Sequence, residues 1–381
     1  MNKKEVNEIK KQFSPSNCAI TRICGCYVNH EKEKKALLKE AFLSLSEDEN
    51  FKYFAIFKKA LSGTMGKHLL NMEFPREQEQ EGGTQAFLME LLNSKLMDDD
   101  LLSVFYDNII EHYDYPENYY IILIHGVYDI PGKAADGSIL EDASENVFEH
   151  LFCCICPVKL SKDGLHYNTE TNVIEERVRD WLVEMPENGF LFPAFSDRTS
   201  DIHNLLYFAK NPEKLQNELV TNVLGCVPPL TLKGQKTTFQ AIVEETLGRD
   251  CDFEAVKAIH ENLNELVANG EEDPVPLALD KQEVKRLLLN NAVKNEHLEE
   301  FEAIYENTVN EETELLATNV ASPRSMEIKM PDVVIKVNPE KSHLVENRII
   351  DGIPCLVIQV SDAVELNGIQ VRAVPIEDEE L

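Results

Sequence analysis

One stretch limits the choice of fold more than any other: residues 119–130, YYIILIHGVYDI. Six large apolar or aromatic side chains in a row lead into His125-Gly126, then Val127, Tyr128 and Ile130. The run is rich in β-branched and aromatic types. Turn-prone Tyr115-Pro116-Glu117-Asn118 and Pro131-Gly132 bracket it. Length, residue types and boundaries together read as a strand buried on both faces, not as a helix. After an acidic, Gly-containing loop comes a second run, 147–160 (VFEHLFCCICPVKL), its natural partner. The main sheet is expected around this pair.

The rest of the chain is placed around that centre. Residues 2–12 predict a short helix ended by Ser14-Pro15, 18–28 a strand, and 36–45 a second strand of the same hairpin. Ser46 with Glu49 three residues on is a capping box, opening a helix to about Leu61 that carries Phe51, Phe54 and Phe57 and stops at Gly63. Residues 74–83 read as a mobile loop. Thr84 and Asp98 are expected to cap two further helices, running to about Leu96 and to His112. Strands return at 173–184 and 189–195. That makes five to seven, antiparallel because helical crossovers between adjacent strands are missing.

From 200 onward the pattern reads as helical. Asn211 as cap, Pro212, then Leu215, Leu219, Val220 and Val223 before Gly225 mark one helix. Others are expected over 237–247, 252–267, 280–293 and 296–305, with 270–276 an acidic connection. Beyond Pro323 the β period returns at 332–337, 344–350 and 355–360, with Asp351-Gly352 as a hairpin turn. The tail IEDEEL reads as disordered. The fold expected is α+β: a mostly antiparallel sheet with flanking helices over 1–210, a helical domain over 211–322, and a small β-hairpin region with an acidic tail over 323–381.

Composition narrows the class of function. At 381 residues, 43% hydrophobic and 28% charged, the chain can bury proper cores. No apolar run approaches the ~18 residues that span a bilayer, and the charged start MNKKEVNEIKK is unlike a secretion signal. Nine cysteines, mostly within apolar strands, fit a reducing compartment, so a cytoplasmic protein without membrane contact is expected. The net charge of −31 is uneven: residues 1–60 carry 12 Lys and Arg against 8 Asp and Glu, which leaves −35 for the remainder. That field opposes broad nucleic-acid binding. The basic segment is read as docking on the chain's own acidic body, or else as a local surface for an acidic partner.

Four places carry candidate chemistry. Cys24 and Cys26 share a strand face, as do Cys154 and Cys156; adjacent strands would bring four thiols together for zinc or iron–sulfur. Buried packing is the favoured reading, since thiols are among the commonest fully buried groups. A cysteine nucleophile paired with His125 or His150 is the related alternative. Gly63-Thr64-Met65-Gly66-Lys67 lacks the spacing of a phosphate loop and reads as a helix end. Residues 196–203 (SDRTSDIH) form the densest polar cluster beside an apolar strand. Asp197, Arg198, Asp201 and His203 are the candidate acid–base or metal site, against a reading in which Thr199 or Ser200 caps a following helix. Lys233-Gly234-Gln235-Lys236 reads as a small basic loop. No common catalytic signature is present, and nothing calls for a cofactor.

The phrases FSPSNCAITRICGCYV (13–28), FKYFAIFKKALSGTMGKHLLNMEF (51–74) and GFLFPAFSDRTSDIHNLLYF (189–208) resemble an uncharacterised bacterial family, defined only as a domain of unknown function spanning nearly the whole chain. The resemblance implies no activity. In its order of elements the chain is also similar to bacterial nucleoid-associated proteins of about the same length. The pattern runs from the hairpin and capped helix of 20–61, through the helix and strand pair of 98–160 and LGCVPPLTLKGQKTTFQAIVEE (224–245), to the closing hairpin of 333–360. That second resemblance implies association with the nucleoid and no catalytic site. The chain departs from it by its Cys-rich strands, its acidity and its 161–210 region. The function expected is a non-enzymatic intracellular interaction protein with a protein partner, in the neighbourhood of the nucleoid. The rival is a hydrolase-like enzyme built on Asp197–His203 or on a cysteine nucleophile.

Overall fold

The computed structural model describes residues 1–133, 139–270, 275–290, 300–309, 314–360 and 364–371, with the backbone alone at 133 and 139–145. It divides into two compact units, Met1–Gly234 and, apart from Pro274–Pro276, the chain from Gln235 onward. The expected tail IEDEEL and parts of the expected 270–276, 280–293 and 296–305 segments lie outside the described residues.

The first unit holds α1 (Lys3–Lys11), β1 (Ile20–Val28), β2 (Lys34–Ala41), α2 (Glu47–Ala60), β3 (Leu69–Glu73), α3 (Thr84–Asn93), α4 (Asp99–His112), β4 (Tyr119–Lys133), β5 (Ile139–Leu160), β6 (Leu165–Asn168), β7 (Val173–Glu176), β8 (Trp181–Val183), β9 (Asn188–Phe192), β10 (Ala194–Ser196), β11 (Thr199–Asp201) and β12 (Asn204–Ala209). Its sheet runs β2-β1-β4-β5-β9-β12-β3, antiparallel throughout, with β8 paired to the far end of β5. The two apolar runs are therefore its middle. One face of that middle packs Cys24, Ile121, Leu123 and Cys153 against Leu88 and Leu91 of α3 and Phe105 and Ile109 of α4. The other packs Ile122, Ile124, Phe152 and Cys154 against Ile9 of α1 and Phe54 and Phe57 of α2. An antiparallel sheet often leaves one face to water. Helices on both faces here explain why residues 119–124 of β4 and 151–158 of β5 are continuously apolar and do not alternate.

Local chemistry fixes the helix starts. Asn2 and Ser46 each accept an N–H from the third helical residue, and Glu5 and Glu49 return the bond, two complete capping boxes. Asp98 caps α4 through the Asp100 and Leu101 N–H groups. Gly83, not Thr84, sits at the cap of α3; Thr84 opens the helix and ties its N–H and hydroxyl to Gln78 Oε1. The expected 74–83 loop contains a short turn, Arg76–Glu79.

Other expectations are corrected. The chain does not turn helical at 200: β11 and β12 follow, and β12 pairs with β9 and with β3, a strand not anticipated. Residues 204–209 (NLLYFA) carry an almost unbroken apolar run, which fits a buried strand as readily as a helix. The helix expected after Asn211 shrinks to a single wide turn, Leu219–Val223. There the Asn211 side chain takes the Glu213 N–H at 3.0 Å and closes a local turn before any helix can start.

The second unit holds α5 (Leu232–Leu247), α6 (Phe253–Asn269), α7 (Lys281–Asn290), α8 (Phe301–Thr308), α9 (Ala317–Val320) and then β13 (Met326–Met330), β14 (Val333–Val337), β15 (Val345–Ile350), β16 (Ile353–Ile358), β17 (Val364–Leu366) and β18 (Ile369–Val371). Its strands form separate two-stranded ribbons. Asp351 and Gly352, both left-handed with φ 53° and 80°, make the tight turn of β15–β16. The α+β class is as expected: a large antiparallel sheet, helices through the middle of the chain, and small C-terminal hairpins.

Candidate functional site

The polar cluster of 196–203 is a hairpin, not a capped helix. Ser196 pairs with Thr199, and Asp197 and Arg198 form the two-residue turn with φ 49° and 57°. Arg198 leaves the cluster: its Nη1 binds both Glu8 carboxylate oxygens of α1 at 2.9 and 3.1 Å, and its Nη2 donates to the Pro131 carbonyl at 2.7 Å. The Asp197 N–H donates to Glu5 Oε1 at 2.8 Å. Asp201 is occupied locally, taking the His203 N–H and the Asn204 amide. His203 faces elsewhere and meets Glu79 Oε1 at 2.6 Å, the hydrogen bond that raises its pKa above the usual 6.5. The four candidates do not converge. Two of them fasten α1 to the sheet.

The thiols are separated by the sheet itself. Strand β4 lies between β1 and β5, so the strands of the two Cys-x-Cys pairs are not neighbours. Cys24 and Cys26 face the α3–α4 side together with Cys153, whereas Cys154 and Cys156 face the α1–α2 side. Burial pushes Cys24 and Cys26 up to about 11, and Cys153, Cys154 and Cys156 higher still. All stay protonated at neutral pH and are poor nucleophiles. Among the described residues, no group of three or more His, Cys, Asp or Glu side chains is placed to hold a metal ion.

The Gly63 backbone, at φ 144°, ends α2 and turns the chain into β3, with the Thr64 carbonyl collecting the Lys67 and His68 N–H groups. This is the helix end the spacing implied. Lys233–Lys236 is corrected: those residues lie in the first turn of α5, and the Lys233 N–H points at the Glu213 carboxylate. Three lysines of the N-terminal basic segment are engaged by α4. Lys34 pairs with Asp107 at 2.8 Å, Lys39 with Asp99 at 2.5 Å, and Lys32 donates to the Glu111 carbonyl at 3.2 Å.

One polar array escaped the sequence. His125 is buried, with Nδ1 2.6 Å from Thr21 Oγ1 and Nε2 2.8 Å from Glu149 Oε1. Thr21 sits at a register shift between β1 and β4, so only the pairing brings the three together. Burial lowers the His125 pKa against the pull of Glu149, so the neutral ring donates from Nε2 and accepts at Nδ1. The Thr21 hydroxyl has a second acceptor in the His125 carbonyl at 3.1 Å. Spent on the bulge, that hydroxyl is a strut for irregular backbone.

A family model described as "Domain of unknown function (DUF4317)" matches residues 1–369. The chain belongs to this family. The DUF4317 match runs through both units, from α1 into β18. No curated protein, nucleoid-associated ones included, and no solved structure matches the chain.

A surface of this DUF4317 chain rich in exposed apolar side chains lies beyond the end of β5. The β6–β7 ribbon, the connection after it and β8 expose Leu165, Ile174, Val178, Trp181, Leu182 and Val183, with Val178 79% and Trp181 55% exposed. The segment is fastened at its base: the Ser161 N–H donates to the Asp180 carbonyl, the Asp180 N–H donates to the Ser161 hydroxyl, and the Arg177 N–H donates to the Gly164 carbonyl. A two-stranded ribbon has no second layer on which to bury its apolar side chains. The sequence hinted at this only through β-rich residues without a partner run.

Proposed function

We propose that the chain is a non-enzymatic intracellular interaction protein that docks a protein partner on the apolar surface of 165–185. The observation carrying this reading is the density of large exposed apolar side chains within residues 165–185, including the chain's single tryptophan. Contiguous apolar surface of this kind marks binding faces, and Trp is the residue most enriched at their energetic centres. Charge selects the partner. Five acidic and two basic residues lie within 165–185, and the whole chain carries −31, so a second copy is repelled while an apolar patch rimmed with Lys and Arg is attracted. The dispersal of Asp197, Arg198, Asp201 and His203 and the protonated thiols favour this reading over a hydrolase-like one.

The test places a photo-crosslinking residue at Val178 in living cells. A discrete adduct to one basic-patched protein, lost when Trp181→Asp is added and absent when the crosslinker stands at exposed Glu47 on α2, is the expected result. Adducts only between copies of this chain, or none, would overturn it.

A further inference from the structure

A separate feature lies in the second unit, independent of the docking surface. We propose that a cavity of about 490 Å³ there binds a phosphate-bearing small molecule, its anionic end held by Lys236 of α5 and His260 of α6. Phe239, Asn264, Ser322 and Ser325 also line it.

The ligand class follows from which groups are already committed. The cavity has two carboxylates, and both are engaged. Glu261 Oε1 accepts the Ser342 hydroxyl at 2.5 Å, and Glu327 lies between Lys329 at 2.7 Å and Lys336 at 3.4 Å. Lys236 and His260 make no hydrogen bond or ion pair among the described residues, although they are close enough for the lysine charge to bear on the imidazole. Asn264 spends its carbonyl oxygen on the Ser322 N–H at 3.1 Å, so what it offers a ligand is N–H. The uncommitted groups include an ammonium, an imidazole, an amide nitrogen and two serine hydroxyls, beside the Gln240 amide and the second oxygen of Glu261. Such a set suits an anion with many acceptor oxygens, and lysine is an effective point-charge partner for phosphate. In a chain of net charge −31, an anion-seeking cavity is not a by-product of overall composition.

Size adds the organic part. The volume lies within the ~300–1,000 Å³ typical of small-molecule sites, far more than inorganic phosphate fills. A neighbouring hollow of about 220 Å³ shares Phe239, Gln240 and His260 and adds Val243, Val256 and Ile259, with Glu244 and Cys251. Its aliphatic side chains give the uncharged body of the ligand a place to pack beside the phosphate.

Calorimetric titration of the full chain with adenosine monophosphate, pyrophosphate and adenosine, at matched ionic strength, tests this. Both phosphates are expected to bind and adenosine alone to fail. Lys236→Met, which keeps the apolar stem, should weaken binding roughly tenfold or more, the loss of one charge-assisted bond, while Lys236→Arg restores most of it. Shifts of the His260 ring resonances on adding pyrophosphate locate the site without relying on a variant. No binding of either phosphate, binding untouched by Lys236→Met in a variant with native circular dichroism, or equal binding of adenosine would each overturn the proposal.

Discussion

His150 is where the interior of the sheet is chemically exposed to pH. Its ring stacks on Phe148 with centroids 4.8 Å apart and lies over Gly126, where an added Cβ would come within 2.5 Å of it. Neither ring nitrogen has a well-formed hydrogen bond, although the Phe148 backbone offsets part of the cost of burial. Complete burial lowers its pKa from 6.5 to about 4, so the folded chain holds it neutral. The unfolded chain takes up the proton first as pH falls. His150 therefore contributes stability that is intact above about 6.5 and lost as pH drops toward 4, to the extent of about 3 kcal/mol at one pKa unit per 1.36 kcal/mol. His150→Phe should remove that part of the acid sensitivity. Urea midpoints at pH 7 and pH 4.5 should differ less in the variant than in the parent. An equal loss in both would show that His150 is not the acid-labile group. In the sequence His150 was one more polar letter in an apolar run. That its neighbour across the strands is a glycine, leaving room for the ring, is a fact of register.

At the scale of elements, what was legible depended on whether the signal was local. The capping box at Ser46, the Asp98 cap and the Asp351-Gly352 turn act within four residues, and their elements lie where the letters put them. Strand β12 and its partner β3 could not be read that way, because a short apolar run is compatible with helix or strand until a neighbour is known. The alternative reading of the thiol pairs as a metal site stayed open for the same reason. Their alternation was evident, but the interposition of β4 and the opposite facing of Cys24 and Cys154 exist only in the pairing order. The β15–β16 hairpin gives an element-scale test. As an isolated two-stranded ribbon it depends heavily on its turn, and Gly352 at φ 80° is where a side chain strains the backbone. Gly352→Ala should destabilise the hairpin by roughly 1 kcal/mol and speed amide exchange across 345–358 while leaving β4 and β5 protected. Unchanged exchange there would mean the ribbon is held by something other than its turn.

At the scale of the whole molecule, charge decides between partners. Composition alone indicated that nucleic acid would meet a repulsive field, yet it left one loophole: the +4 balance of residues 1–60. Geometry narrows it. On the β2 edge and the turn before it, Lys34 and Lys39 face Asp107 and Asp99, Lys32 reaches the Glu111 carbonyl, and Lys35 pairs with Glu33 at 2.5 Å. These exposed pairs contribute little to stability, but they set the local potential, and a phosphate backbone would have to displace the α4 carboxylates to use the lysines. The chain should therefore fail to retard duplex DNA even at about 50 mM salt, where counterion release favours binding most. Neutralising Lys32, Lys34 and Lys35 together should change nothing. Retardation that falls steeply with added salt and disappears in the triple variant would show those ion pairs to be exchangeable. It would return the nucleoid to the list of places where this protein works.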